Sequence, residues 1–189
     1  MANYLFLDES YRAKVDGPPP HYYIVATVFS SEYSRQGFEN LLAKTGGLPF
    51  HTTDEARSLG GRLRLLEYID YIRESDVACK VFLDEIGLSD KLGEQARVGL
   101  LGQVMASLAL YSTDDLAVIY DKRMPGFQSN ADERTFTALR QSGTIPRSLS
   151  VRAASAQNDA GLVMADIAAW SFRQHHIGNT SMYWNLLIK

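Results

Sequence analysis

The chain has 189 residues, a formal net charge of -3, 46% apolar residues and one cysteine, Cys79. That length suits a single domain over 1–189 with a sizeable core, and one cysteine excludes an intrachain disulfide or a cysteine metal cluster. No apolar run is long enough for a membrane span and the opening MANYLFLDES is not a signal peptide, so a reducing cytoplasm is the expected compartment.

The apolar run at 4–8 (YLFLD) predicts a buried strand. Residues 10–20 read as a loop, because three consecutive prolines at 18–20 cannot continue a ladder. A second strand follows at 21–30, so the first two strands form an antiparallel hairpin. A helix is expected at 31–44, with Phe38, Leu41 and Leu42 on one face, and the stretch 50–61 is irregular. The next helix, 62–74, places Leu63, Leu66, Ile69 and Ile72 or Arg73 at helical spacing. Further strands are expected at 77–83, 116–121 and 149–152. Helices are expected at 89–111, 132–141 and from Asn158 or Asp159 to about His176. Strands alternating with helices after an initial hairpin give an α/β fold, a mixed five-stranded sheet flanked by helices, with 116–121 parallel to 4–8.

Asp166 is the one charge in the thirteen-residue helical segment AGLVMADIAAWSF. A carboxylate in such surroundings is costly unless paired, protonated or bound to a cation. Asp8 and Asp121 each close an apolar strand. Three carboxylates brought together from separate elements would suit a hard divalent cation such as Mg²⁺ or Mn²⁺. The competing readings are a loop residue or helix cap for Asp8 and Asp121, and a salt bridge or backbone hydrogen bond for Asp166. Glu9 and His51 are auxiliary candidates. Asp84-Glu85 nearly repeats the context of Asp8-Glu9, and Asp159 is either a ligand at the edge of the site or an acid favoured by the helix dipole. The basic pairs Arg12 and Lys14, Lys122 and Arg123, and Arg147 and Arg152 read as a solvated surface. Those beside Asp8 or Asp121 are also candidates for phosphate contacts. No Gly-x-Ser-x-Gly elbow, Walker motif or Gly-x-Gly-x-x-Gly fingerprint occurs.

Leu7-Asp8-Glu9-Ser10 resembles the Asp-Glu-Ser-Gly opening of the bacterial domain of unknown function 3800 family. Phe50-His51, Ile119-Tyr120-Asp121 and the 161–169 segment around Asp166 resemble its later motifs in order and spacing, across nearly the whole chain. Two departures are Tyr11, where that family has glycine, and Met164, where glutamine is common. The resemblance implies a ribonuclease H-like fold in which acids from the first strand, the fourth strand and the last helix converge. The expected function is a metal-dependent nuclease, hydrolysing phosphodiesters of nucleic acid, with Asp8, Asp121 and Asp166 as metal ligands. The alternative is a non-catalytic interaction protein on the same fold whose acidic cluster is structural.

Overall fold

The computed structural model describes residues 3–12, 21–87, 89–90, 93–108, 115–123 and 127–188, the side chains of 12 and 127–129 excepted. Five strands form one sheet in the order β3-β2-β1-β4-β5. They are β1 (Asn3–Arg12), β2 (Tyr22–Ser31), β3 (Val77–Glu85), β4 (Leu116–Asp121) and β5 (Ser150–Ala154). β1 is antiparallel to β2 and parallel to β4, β2 is antiparallel to β3, and β4 is parallel to β5. The sheet is therefore the mixed one expected, with the hairpin at its start and the parallel crossovers later.

Side chains alternate between faces along a strand, and both faces of β1 are covered. Phe6 joins a core cluster with α1 (Glu32–Thr45), α3 (Leu59–Glu74), α6 (Ala160–His176) and α7 (Met182–Leu187). Leu5 and Leu7 join the opposite cluster, with α4 (Glu94–Ser107) and Phe136 of α5 (Phe127–Gln141). A short helix, α2 (Thr52–Glu55), lies in the stretch expected to be irregular.

Several bounds differ from the expectation for identifiable reasons. β1 continues to Arg12 because Ser10, Tyr11 and Arg12 pair with Ile24, Tyr23 and Tyr22, and the Tyr11 ring stacks on Tyr23 at 5.2 Å. The rest of that expected loop, 13–20, lies outside the described residues. α4 begins at Glu94 rather than Ser89. Gly93 takes a left-handed conformation, φ 70°, and the Asp90 carboxylate accepts the N–H groups of Gln95 and Ala96 at 2.9 and 3.0 Å, capping the helix from outside it. Tyr111, expected on the core face of α4, lies outside the described residues. α3 starts at Leu59, with the Ser58 hydroxyl accepting from the Gly61 N–H at 2.9 Å. Its buried stripe is Gly61, Leu65, Tyr68, Ile69 and Ile72, which leaves Leu63 61% exposed. α5 begins at Phe127, and α7 was not expected; it buries Tyr183 and Leu187, with Tyr183 against Trp170.

The helix that carries Asp166 runs as expected. The Asp159 side chain accepts from the Gly161 N–H at 2.9 Å and caps α6. α6 packs across β1 and β2, and from Ala160 to Ser171 every residue is buried except Asp166. Met164 is fully buried among these. The approach to the sheet is close: a Cβ on Gly161 would lie 2.1 Å from Phe6 Cζ.

Gly161→Ala should therefore cost about 1–3 kcal/mol, the usual penalty of overpacking. Chemical denaturation of wild type, Gly161→Ala and the Gly161→Ala, Phe6→Leu double variant checks this. The smaller side chain at position 6 should recover part of the loss, and an unaffected single variant would contradict the close seating.

Candidate active site: an aspartate cluster at the strand ends

Strand parity decides where the acids point. Asp8 follows Phe6 on β1, and Asp121 follows Ile119 on β4, so both face the side covered by α6. The pairing of β1 with β4 reaches Leu7 and Tyr120, one residue before each acid, so the two lie side by side at the ends of parallel strands. Asp166 comes down from α6 onto the same region. Each carboxylate is anchored by a backbone N–H. Asp8 Oδ1 accepts from Glu9 at 2.7 Å, Asp121 Oδ1 from Ala156 at 3.0 Å, and Asp166 Oδ2 from Thr52 at 3.0 Å. The Thr52 hydroxyl gives Asp166 Oδ2 a second bond at 2.9 Å.

All three carboxyls are pushed above the ordinary aspartate range. For Asp8 burial is the main cause, followed by the charges of Asp166 and then Asp121, with Arg97 opposing them. For Asp121 burial is again first, opposed by the Ala156 and Lys122 N–H groups and added to by Asp166. For Asp166 burial outweighs the Thr52 bonds and the charges of His51 and Arg173. The three acids thus share one electrostatic environment. Among the described residues, no group of three or more Asp, Glu, His or Cys side chains is drawn together tightly enough to cage a metal ion as it stands. The donor chemistry, three aspartate oxygens from three elements, fits a hard divalent cation.

His51 flanks the cluster. It is the N-cap of α2 without a side-chain cap bond, its ring is 65% exposed, and Nδ1 lies 3.9 Å from Asp166 Oδ2. Glu9 does not join the acids. By parity it faces the other side of the sheet, where it forms an ion pair with buried Arg97. Arg97 also bonds Asp132 at 2.9 and 3.2 Å, and Arg123 joins Asp132 to Glu94, closing a network of two arginines and three acids between β1, α4 and α5. A small cavity lined by Asp8, Glu9, Arg97 and Asp121 separates this network from the cluster.

Arg123 is thus committed to Asp132 and Glu94 rather than to the solvated surface or phosphate contact expected for it, while Lys122 is exposed. Lys14 lies outside the described residues, as does the side chain of Arg12. Asp84 is exposed on the edge strand β3 and caps its own neighbour, Glu85 N–H, at 2.9 Å. Asp159 is a helix cap, as the dipole reading has it. Thr52, Arg97 and Arg173 were not foreseen. Arg97 had a signal, since it falls on the apolar stripe with Leu100, Leu101 and Val104. Thr52 had none beyond its place next to His51.

No family model matches the chain, and no curated protein matches it. Among solved structures it is similar to the ribonuclease H2 from Pyrococcus horikoshii OT3, with 12% identity and a TM-score of 0.56, over 94% of this chain and 74% of that one. The fold is ribonuclease H-like: α/β, with the five-stranded mixed sheet flanked by helices. Among the described residues no helix is long and apolar enough to cross a membrane.

Two outcomes follow from the electrostatics. Folded-state values above the unfolded ones mean that the folded protein binds extra protons, so metal-free stability should fall as pH rises from about 3.9, the free aspartate value, through the raised values. Asp8→Asn removes the most strongly affected carboxylate. In melting scans it should match wild type near pH 3.9 and exceed it at neutral pH, by roughly 2–4 °C for each kcal/mol of relief. A variant less stable at neutral pH would refute the repulsion. Arg97→Met, which strands Glu9 and Asp132, should instead lose about 3–5 kcal/mol in urea unfolding; a neutral result would mean that the network contributes nothing.

Proposed function

We propose that this protein is a metal-dependent nuclease that hydrolyses phosphodiester bonds in nucleic acid. The observation that carries the reading is the meeting of Asp8, Asp121 and Asp166, from β1, β4 and α6, on one face of a ribonuclease H-like sheet. The neighbour named as a ribonuclease H2 and the motif resemblance to the domain of unknown function 3800 family, to which we assign the chain, support it.

Asp8, Asp121 and Asp166 would hold Mg²⁺ or Mn²⁺. When bound, the cation supplies positive charge that offsets the charge developing on the phosphoryl oxygens. Thr52 fixes the rotamer of Asp166 through its two bonds to Oδ2. His51, with Nδ1 toward Asp166 and most of its ring in solvent, relays protons between the site and water. Glu9 acts at a distance, by holding Arg97 beneath the cluster.

The second reading is a non-catalytic interaction protein whose acids form a structural network. Its support is that all three carboxylates already accept backbone N–H bonds. Incubation of purified protein with labelled single-stranded DNA and RNA, with Mg²⁺ or Mn²⁺, separates the two. The nuclease reading expects cleavage that disappears in the Asp8→Ala, Asp121→Ala variant, and a rise in melting temperature with Mn²⁺ that also disappears there. Thr52→Ala should weaken metal affinity or activity by about 10–100-fold, as loss of an orienting partner does. Absence of both cleavage and Mn²⁺ stabilisation in wild type establishes the second reading.

A further inference from the structure

Arg173 lies on α6 two turns beyond Asp166 and on the same face, about 10 Å along the axis. Helical side chains lean toward the N-terminus, which turns its guanidinium back over the sheet toward the cluster. There its Nη1 donates to the Ser10 hydroxyl at 3.4 Å. Ser10 is two residues past Asp8 on β1, hence on the same face. The contact therefore sits at the outer rim of the acids, where β1 runs on beside β2 past its pairing with β4.

Arg97 and Arg123 are each held by two carboxylates, and Arg35, Arg57, Arg64 and Arg73 each bond a nearby acid. Arg62 and Arg140 bond backbone carbonyls and, among the described residues, have no carboxylate within 4.0 Å; what sets Arg173 apart from them is its place beside the aspartates. Arg173 is half-buried, near enough to Asp166 for its charge to be felt there, yet among the described residues it has no carboxylate within 4.0 Å. The one described hydrogen bond of its guanidinium goes to a neutral hydroxyl. A guanidinium has five donors in a planar fork that matches a phosphate. Held by a neutral anchor, it keeps both its charge and its open donors for an anion from outside.

We propose that Arg173, oriented by Ser10, binds a backbone phosphate flanking the scissile one, so that the aspartates take the cation and Arg173 takes the strand. This rests on the nuclease reading and names a contact that reading does not require.

The test is fluorescence anisotropy of the full chain with a labelled single-stranded oligonucleotide in Ca²⁺, titrated over a range of salt, alongside melting with and without Mn²⁺. Arg173→Gln should weaken binding about 10–100-fold, the value of hydrogen bonds to a charged group. It should reduce the slope of log affinity against log salt by about 0.7, one single-strand phosphate contact. Arg173→Lys, which keeps the charge but not the fork, should restore the slope and only part of the affinity; it also serves if the glutamine variant does not fold. The Mn²⁺ shift should persist in both. Unchanged affinity and slope in Arg173→Gln, with wild type binding the oligonucleotide, overturns this proposal and leaves the nuclease reading standing. Loss of the Mn²⁺ shift in Arg173→Lys would make the residue a prop for Asp166 and overturn it as well. Failure of wild type to bind any oligonucleotide removes both.

Discussion

The seating of α6 on β1 is the constraint on which the candidate site depends. Gly161 lies where any side chain would strike the Phe6 ring, so helix and strand approach as closely as backbones allow. Leu162, Val163, Met164 and Ile167 are then fully buried, each contributing roughly 1.5–3 kcal/mol relative to exposure. Set against this is the desolvation of Asp166, softened by its two bonds from Thr52. Apolar burial over four turns outweighs one unfavourable carboxylate. The helix therefore keeps its place and carries Asp166 to the strand ends whether or not the charge is comfortable there.

Parity on β1 then divides the charges of the molecule into two kinds. Asp8 and Glu9 are neighbours in sequence, but they face opposite sides of the sheet. Glu9 enters a network in which Arg97 and Arg123 balance three acids, and that network is complete within the chain. Asp8 enters a cluster at whose rim His51 and Arg173 stand, while Arg97 opposes its charge from across the small cavity. A one-residue slip of β1 would exchange these fates. Ten residues of ladder to β2 hold the register against such a slip.

Much of this architecture was legible because it is written in apolar periodicity. The strands at 4–8 and 116–121, the hairpin, the parallel crossover and the helix around Asp166 all follow from runs whose length and spacing leave few alternatives. The three aspartates stood out as acids ending or interrupting such runs. Less legible were features decided by a tertiary neighbour. On α3 two apolar stripes were available; the observed one includes Gly61, where a Cβ would lie 2.0 Å from the Glu55 carbonyl oxygen, so the contact with α2 selects the face and leaves Leu63 outside. α2 and α7 are too short for a period to register. Arg173 is an ordinary last-turn base in sequence, and only the fold brings it to Ser10. Arg123, which reads as a surface cation beside Asp121, is drawn under the sheet by the need to neutralise Asp132.

The anchoring of the aspartates bears on what the cluster is for. Repelling carboxylates on free rotamers would swing apart, and the cost of the cluster would dissipate. Here each is tied by a backbone N–H, and two of the three donors, on Glu9 and Ala156, belong to the sheet or to the turn that follows it. The third, on Thr52, opens α2, which packs on α6 itself. The repulsion is thus held in the fold. A purely structural set of acids would gain from a buried base placed among them, and this chain places such bases on the opposite face, between Glu9, Asp132 and Glu94. Carboxylates fixed in position and desolvated, with buried Arg97 opposing the charge on Asp8 from across the small cavity, still repel one another, and a cation taken up among them would relieve that repulsion.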